Sequence, residues 1–495
     1  MRETVGGVRP VNLRAFQPCD VRGVYGTGPE AEVSPVLAFR IGRSLARRTP
    51  EDRPLLLAGD GRESTPALLG ALEQGAGRPC LNLGVPVPTP LAWLARQLSA
   101  AHTSAIVTAS HNPAKFNGVK IQIGETPITP GELAAIRDDV ARMAGEPASG
   151  PIGAGAERDG EGEARLRETW HAYRAAVADA FGAVRGARIA LDCMHGSYAG
   201  YAREALEGQG YVVSALRDEV HGDFGGAVPN PADDRNLAEL ALRVREGGFA
   251  FGAALDGDGD RVRFVDETGA PVDNGTVLVL LVRDRLQRPE SRKRRVVVYD
   301  QKIRLAVADA LRSAGAEPVR EKSGHTFIRA RMLAESAVLG GENSGHFFWG
   351  AGGPYPVAAG DCGLFAVFAL GDLLQRAERP LSELCAAVPD SPFYTDDIRG
   401  LRYEGDRDRL LREVAAGVER GAYEVSTEDG VRIERPGAFA LLRASVTESD
   451  MLTACLDAAD WPGLHELASA LAGLLPADAK EIGRTILARV EDRRP

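Results

Sequence analysis

The chain has 495 residues, of which 44% are hydrophobic and 26% charged, with a formal net charge of −10. That length exceeds a single core, so two to four domains are expected, and the acidic balance argues against a general nucleic-acid binder. A phosphorylated substrate stays open, because a local group of arginines and lysines overrides the global sign.

The opening run, MRETVGGVRPVNLRAF, holds no apolar signal core, and the longest apolar runs, such as 277–282, are too short to span a bilayer. The six cysteines are scattered without a C-x-x-C pair. A cytoplasmic, reduced protein is expected, with no membrane partner, no disulfide framework and no zinc site.

Apolar strands alternate with amphipathic helices along the chain, which predicts parallel βαβ units. The first unit has strands at 55–60, 104–109 and 119–123 and a helix at 132–144. The run 145–164, rich in Gly, Pro and charge, reads as a linker or surface excursion. A second unit has strands at 187–193, 211–216 and 249–255 and helices at 201–210 and 236–248. A third has helices at 276–287 and 305–315 and strands at 294–300 and 336–341. After about residue 390 the pattern turns to antiparallel strands with tight turns, closed by a helix at 462–475. The predicted fold class is α/β, with three α/β domains (1–165, 166–270, 271–388) and a smaller α+β domain (389–495).

Four short stretches carry candidate chemistry. In VTASHNP (107–113) a strand releases Ser110, His111 and Asn112 before a proline. A polar strand exit is the bland reading, because Asn-Pro commonly starts a turn. No G-x-S-x-G surrounds Ser110, and strand alternation would turn Ser110 and His111 to opposite faces. In DGDGDR (256–261), Asp256, Asp258 and Asp260 alternate with glycine. An extended loop would turn these carboxylates to one side, where a divalent cation would compensate them. An EF-hand is rejected: Glu267 fits its last position, but Arg261 stands where glycine is required and the flanks are strand-like. Few protein ligands and room for a phosphate oxygen suit Mg²⁺. In GGENSGHFFW (340–349), Glu342, Ser344 and His346 offer an acceptor, a hydroxyl and an imidazole to a polyhydroxylated ligand; a polar hairpin turn is the competing reading. In RASVTES (443–449), Arg443, Ser445 and Thr447 would cradle a phosphate, unless this is an exposed strand end.

Taken together and in this order, TASHNP, DGDGDR, GENSGH and RASVTE resemble the motifs of the α-D-phosphohexomutase family, which includes phosphomannomutases and phosphoglucomutases. CDVRG (19–23), FNGVK (116–120), YDQKIR (299–304) and SGHTFIR (323–329) extend the resemblance over nearly the whole chain. It implies four domains around a central cleft, the first three alike. It implies that Ser110 carries a phosphoryl group beside Mg²⁺ held by Ser110, Asp256, Asp258 and Asp260. Arg22, Lys120 and Arg261 would supply positive charge, with His111 and Asn112 shaping the serine loop. Lys120 and His325 both stand as general acid/base candidates. Lys302, Glu342, Ser344 and His346 would meet the sugar phosphate, and Arg443, Ser445 and Thr447 would bind the phosphate that is not reacting. The implied reaction interconverts hexose 1-phosphate and hexose 6-phosphate, of mannose or glucose, through a hexose 1,6-bisphosphate. Glucosamine, N-acetylglucosamine or pentose phosphates, a bisphosphate synthase or phosphatase, and a non-catalytic sugar-phosphate binder are the alternatives. Monomer and homodimer are both compatible with the sequence.

Overall fold

The computed structural model describes residues 11–28, 30–143, 160–288, 294–350, 360–396, 400–419, 421–445 and 450–494. The predicted linker falls mostly outside these. Its last residues, 160–164, open the long helix Gly160–Ala180.

Four sheets follow one another along the chain. In the first, Leu55–Gly59 pairs in parallel with Leu81–Asn82 and Thr103–Val107, and Thr103–Val107 pairs antiparallel with Phe116–Ile123. In the second, Arg188–Asp192 lies parallel to Val212–Leu216 and Phe251–Leu255, and Phe251–Leu255 turns back antiparallel into Val262–Asp266. In the third, Val296–Asp300 lies parallel to Glu317–Glu321 and Leu339–Gly341, and Leu339–Gly341 turns back into Phe347–Trp349. The expected parallel βαβ pairings are present, and each of the three sheets also takes antiparallel strands. The segments leaving 107, 255 and 341 are too short for a crossover, so the chain can only return antiparallel.

This repeated plan decides where the chemistry goes. In each α/β domain the motif loop joins a parallel strand to its antiparallel neighbour, and the three loops occupy equivalent places. The fourth sheet is antiparallel throughout, and its motif loop likewise follows a strand, Ala438–Ala444, that pairs with Met451–Ala458. The strand predicted at 336–341 is shorter, Leu339–Gly341, because the helix His325–Glu335 precedes it and ends on Ser336 with φ +49°. That helix, and those at Pro35–Ala46, Thr65–Ala76, Thr89–Leu98 and Gly363–Ala377, had no counterpart in the sequence reading.

The three α/β domains share one continuous apolar core. It runs from Leu56 and Trp93 through Trp170, Phe181 and Phe251 to Leu281, Phe365 and Phe368. The helix Gly160–Ala180 links its parts: Phe181, just beyond the helix, packs on Phe365 with ring centroids 5.0 Å apart. The C-terminal sheet keeps a separate core, built from Leu442, Leu452, Leu456, Leu464, Leu467 and Ile486. Among the described residues no helix is long and apolar enough to cross a membrane.

Candidate active site

All four domains face one cavity of about 390 Å³. Arg22, Ser110, His111, Lys120, Arg261, Lys302, His325, Glu342, Ser344, His346, Arg443 and Ser445 line it. Thr447 lies outside the described residues.

Ser110 has φ +50°, a left-handed conformation that costs a non-glycine residue free energy. The turn breaks strand alternation, so the expectation that Ser110 and His111 point apart is corrected. Ser110 Oγ lies 3.3 Å from His111 Nδ1. The hydroxyl donates to Asp256 Oδ2 at 2.6 Å. Its single proton is thereby committed, so Nδ1 is the donor of the His111 contact. Burial, then Arg261 and Arg22, hold His111 well below the ordinary histidine pKa. The loop is fixed by Thr108 Oγ1, which accepts from the Ser110 amide at 2.8 Å, and by Arg22, which donates to Asn112 Oδ1 at 2.9 Å.

The aspartate motif is a tight turn and not the extended loop expected. It joins Phe251–Leu255 to Val262–Asp266, and strands on both sides agree with the rejection of an EF-hand. Gly259, at φ +79°, allows the reversal. Asp256 Oδ1 accepts from the amides of Gly259 and Arg261 at 3.0 and 3.1 Å. Asp256, Asp258 and Asp260 are buried and bring one oxygen each within 4.8 Å of the others. Asp258 Oδ1 and Asp260 Oδ1 are buried without a hydrogen-bond partner among the described residues. Buried, all-oxygen and partly unsatisfied, this set fits Mg²⁺. Burial, then repulsion from Asp260 and Asp258, pushes the Asp256 carboxyl up to about 7. Lys120 Nζ pairs with Asp258 at 2.7 Å and also with Asp260. Burial pulls its pKa down, but Asp258, Asp260 and Asp361 outweigh that and hold it above the usual value, so Lys120 is an ammonium.

The third loop joins the second. Val262 N donates to Gly345 O at 3.1 Å, and Arg261 Nε donates to His346 Nε2 at 2.8 Å. His346 Nδ1 lies 3.0 Å from Asp361 Oδ2. Accepting at Nε2 leaves the proton on Nδ1, toward Asp361. Through Nε2, His346 holds the Arg261 side chain, which lines the cavity; Nδ1 faces Asp361 without a well-aligned hydrogen bond among the described residues. Glu342 Oε1 accepts from Gly324 N at 2.8 Å and Oε2 from Ser344 Oγ at 3.2 Å. His325 begins its helix, and its Nε2 is buried with no hydrogen-bond partner among the described residues. Burial, then the Lys120 charge, lowers His325 to about 4. Lys302 Nζ stands 3.7 Å from Asp300. Arg443, buried at the end of its strand, donates to Asp429 Oδ1 at 2.9 Å and reaches Ser323 O at 3.5 Å.

Several supporting residues escaped the sequence reading. Thr89 Oγ1 donates to Asp258 Oδ2 at 2.7 Å. Asp361 lies beside His346, Asp429 faces Arg443, and Arg62 donates to the carbonyls of Ser110 and Asn112 at 2.8 and 2.7 Å. Only Arg62 left a local signal: Asp60-Gly-Arg62 directly follows an apolar strand, where a buried ion pair at a strand end would be sought.

Three α/β domains whose hairpin loops bring cations and buried carboxylates to one cavity fit a phosphoryl-transfer class of protein. Comparison with known proteins narrows it. Residues 13–144, 172–269 and 273–391 match the models of phosphoglucomutase/phosphomannomutase α/β/α domains I, II and III. The chain is 30% identical to a phosphoglucomutase of Neisseria gonorrhoeae over 87% of this chain and 90% of that protein. It is 28% identical to a phosphomannomutase/phosphoglucomutase of Pseudomonas aeruginosa over 87% and 89%. A solved phosphoglucomutase/phosphomannomutase family protein of Burkholderia thailandensis shares the fold, with a TM-score of 0.78, 24% identity, and coverage of 98% and 99%. The chain belongs to the α-D-phosphohexomutase family.

Proposed function

We propose that this phosphohexomutase interconverts the 1- and 6-phosphates of a hexose, mannose or glucose, through phospho-Ser110 and a hexose 1,6-bisphosphate. One observation carries the reading: Ser110 Oγ rests 2.6 Å from Asp256 in the cavity that also holds Glu342, Ser344 and Arg443. The cavity volume, about 390 Å³, lies within the range of small-ligand sites. The names of the relatives support mannose and glucose as the sugars.

Asp256, Asp258 and Asp260 would hold Mg²⁺ together with an oxygen of the phosphoserine. When bound, the cation supplies neutralisation of the charge on the transferring phosphoryl group. Arg443 and Ser445 grip the phosphate already on the sugar. Glu342 and Ser344 read sugar hydroxyls and place the free one near Ser110. The P–O bond to Ser110 Oγ breaks as a P–O bond to the sugar oxygen forms. The proton lost by the sugar hydroxyl ends, net, on Ser110 Oγ. His325 receives it at the sugar end, because His325 is neutral and its Nε2 is open. Lys120 is held as an ammonium by two carboxylates and contributes charge. Arg22 and Arg261 do the same. The bisphosphate then turns over and returns its other phosphate to Ser110.

Intact mass of the purified protein should show a species heavier by about 80 Da, the mass of one phosphoryl group, located on Ser110. Ser110→Ala should abolish isomerisation. A Ser110→Ala protein with full turnover would overturn the reading.

A further inference from the structure

Behind the serine loop lies an arginine with no face toward the cavity. The Arg62 side chain is fully buried. Its Nε donates to Asp60 Oδ2 at 3.0 Å. Nη1 donates to Pro113 O at 2.8 Å and Phe116 O at 3.1 Å. Nη2 donates to Ser110 O at 2.8 Å and Asn112 O at 2.7 Å. All five N–H groups are spent, four of them on carbonyls of the loop that carries Ser110. A lysine could not reproduce this planar fork.

The flat face of that guanidinium is covered from another domain. The Phe224 ring centroid lies 4.8 Å from Arg62 Cζ, a cation–π contact between buried groups. Phe224 holds φ +58°, and Gly225 and Gly226 follow at +65° and +76°. An aromatic residue in the left-handed region persists only where its surroundings over-determine it. Ser110, at +50°, is in the same condition, and Arg62 joins the two. The approach is close: a Cβ on Gly257, in the aspartate turn, would sit 2.6 Å from Ser110 O and 3.2 Å from the Phe224 ring.

We propose that Arg62 and Phe224 are positioning residues for phosphoryl transfer, with Arg62 folding the Ser110 loop and Phe224 clamping it from the second domain. Through this pair the serine loop and the aspartate turn are held in one geometry, so Oγ stays on the carboxylate cluster. The inference rests on Ser110 being the phosphoryl carrier.

The test uses the full-length enzyme and three variants, Arg62→Lys, Phe224→Leu and Phe224→Tyr, assayed in both directions with Mg²⁺ and hexose 1,6-bisphosphate present. Misplacement of reacting atoms by about an ångström costs on the order of 100-fold in rate. Arg62→Lys should lose about that factor in kcat, and Phe224→Leu about tenfold, each with KM within roughly twofold of the parent. Phe224→Tyr keeps the ring face and should keep at least about half of kcat. If Arg62→Lys does not fold, the two Phe224 variants decide. A Phe224→Leu enzyme with unchanged kcat, even with a lower Tm, would overturn the proposal, as would parallel losses in kcat and KM or a failure of Phe224→Tyr to retain activity. A parent enzyme that never carries phosphate on Ser110 would instead overturn the functional reading beneath it.

Discussion

The two ends of the cavity are built on different foundations. The Ser110 end belongs to a body of three domains with one continuous apolar core. There the serine loop, the aspartate turn and the 342–346 loop brace one another through Ser110–Asp256, Lys120–Asp258 and Arg261–His346. The Arg443 end belongs to a sheet with its own core. It meets the body through a small apolar patch, in which Phe393, Phe439, Leu441 and Cys455 of the sheet pack with Leu305, and through polar contacts. Leu305 N donates to Asp457 at 2.7 Å, Arg432 to Gln301 O at 2.8 Å, and Gln301 to Asp429 at 2.7 Å. The proposed chemistry thus sits on the preorganised part, where transition-state charge must be met without rearrangement. The proposed grip on the unreactive phosphate sits on the part with its own core.

Asp258→Asn breaks the first end and carries the largest expected effect. Removing one carboxylate from the proposed Mg²⁺ set should lower kcat by about 10²–10³-fold. Tm should fall little, because relief of repulsion among the three buried carboxylates offsets part of the weakened Lys120 and Thr89 contacts, and Lys120 keeps Asp260. Parallel kinetics and thermal melts check both halves, and a large loss of Tm would make the turn structural.

Arg443→Ala breaks the second end. Loss of a charged hydrogen bond, roughly 1.5–3 kcal/mol, should raise KM about ten- to hundredfold while kcat changes by much less. Steady-state kinetics on both sugar phosphates check it. The contrast fails if Asp258→Asn acts on KM or Arg443→Ala on kcat alone.

The smallest effect sharpens the account of the rigid end. His325 titrates near 6.5 when unfolded and about 4 when folded, because burial and then Lys120 disfavour its cation. Both states are neutral above about 6.5, so the stabilising contribution is fully present there. As pH falls toward 4 the unfolded chain takes up the proton first, and stability is lost. At pH 5 this amounts to about 1–2 kcal/mol. Denaturation midpoints at pH 7.5 and pH 5 should therefore converge in a His325→Asn variant by that amount. An equal pH dependence in parent and variant would count against a neutral His325.

How much of this was legible follows from which residues act locally. Ser110, the three aspartates, Glu342, Ser344 and Arg443 sit in short contiguous runs at strand ends, and the repeated strand–loop plan was readable as three α/β units. Thr89, Asp361 and Asp429 act on partners 14 or more positions away, outside their own local motif, so nothing beside them signals their role; Arg62 shows only its pairing with Asp60, not the distant loop that it holds. The Ser110–His111 contact was misread because strand alternation was carried one residue too far, into a position with φ +50°. The parallel βαβ pairings were legible because helices flank most strands; the strands that return antiparallel are decided by connections too short to cross over.

The central claim is that Ser110 hands its phosphate to the sugar. Enzyme isolated with phosphate on Ser110, freed of other phosphates, should be mixed with excess mannose 1-phosphate or glucose 1-phosphate and Mg²⁺ and quenched on the millisecond scale. The account predicts that the added mass of about 80 Da leaves Ser110 as hexose 1,6-bisphosphate appears in equal amount, before net isomerisation. Isomerisation that proceeds while phospho-Ser110 keeps its phosphate, with no bisphosphate formed, would contradict it.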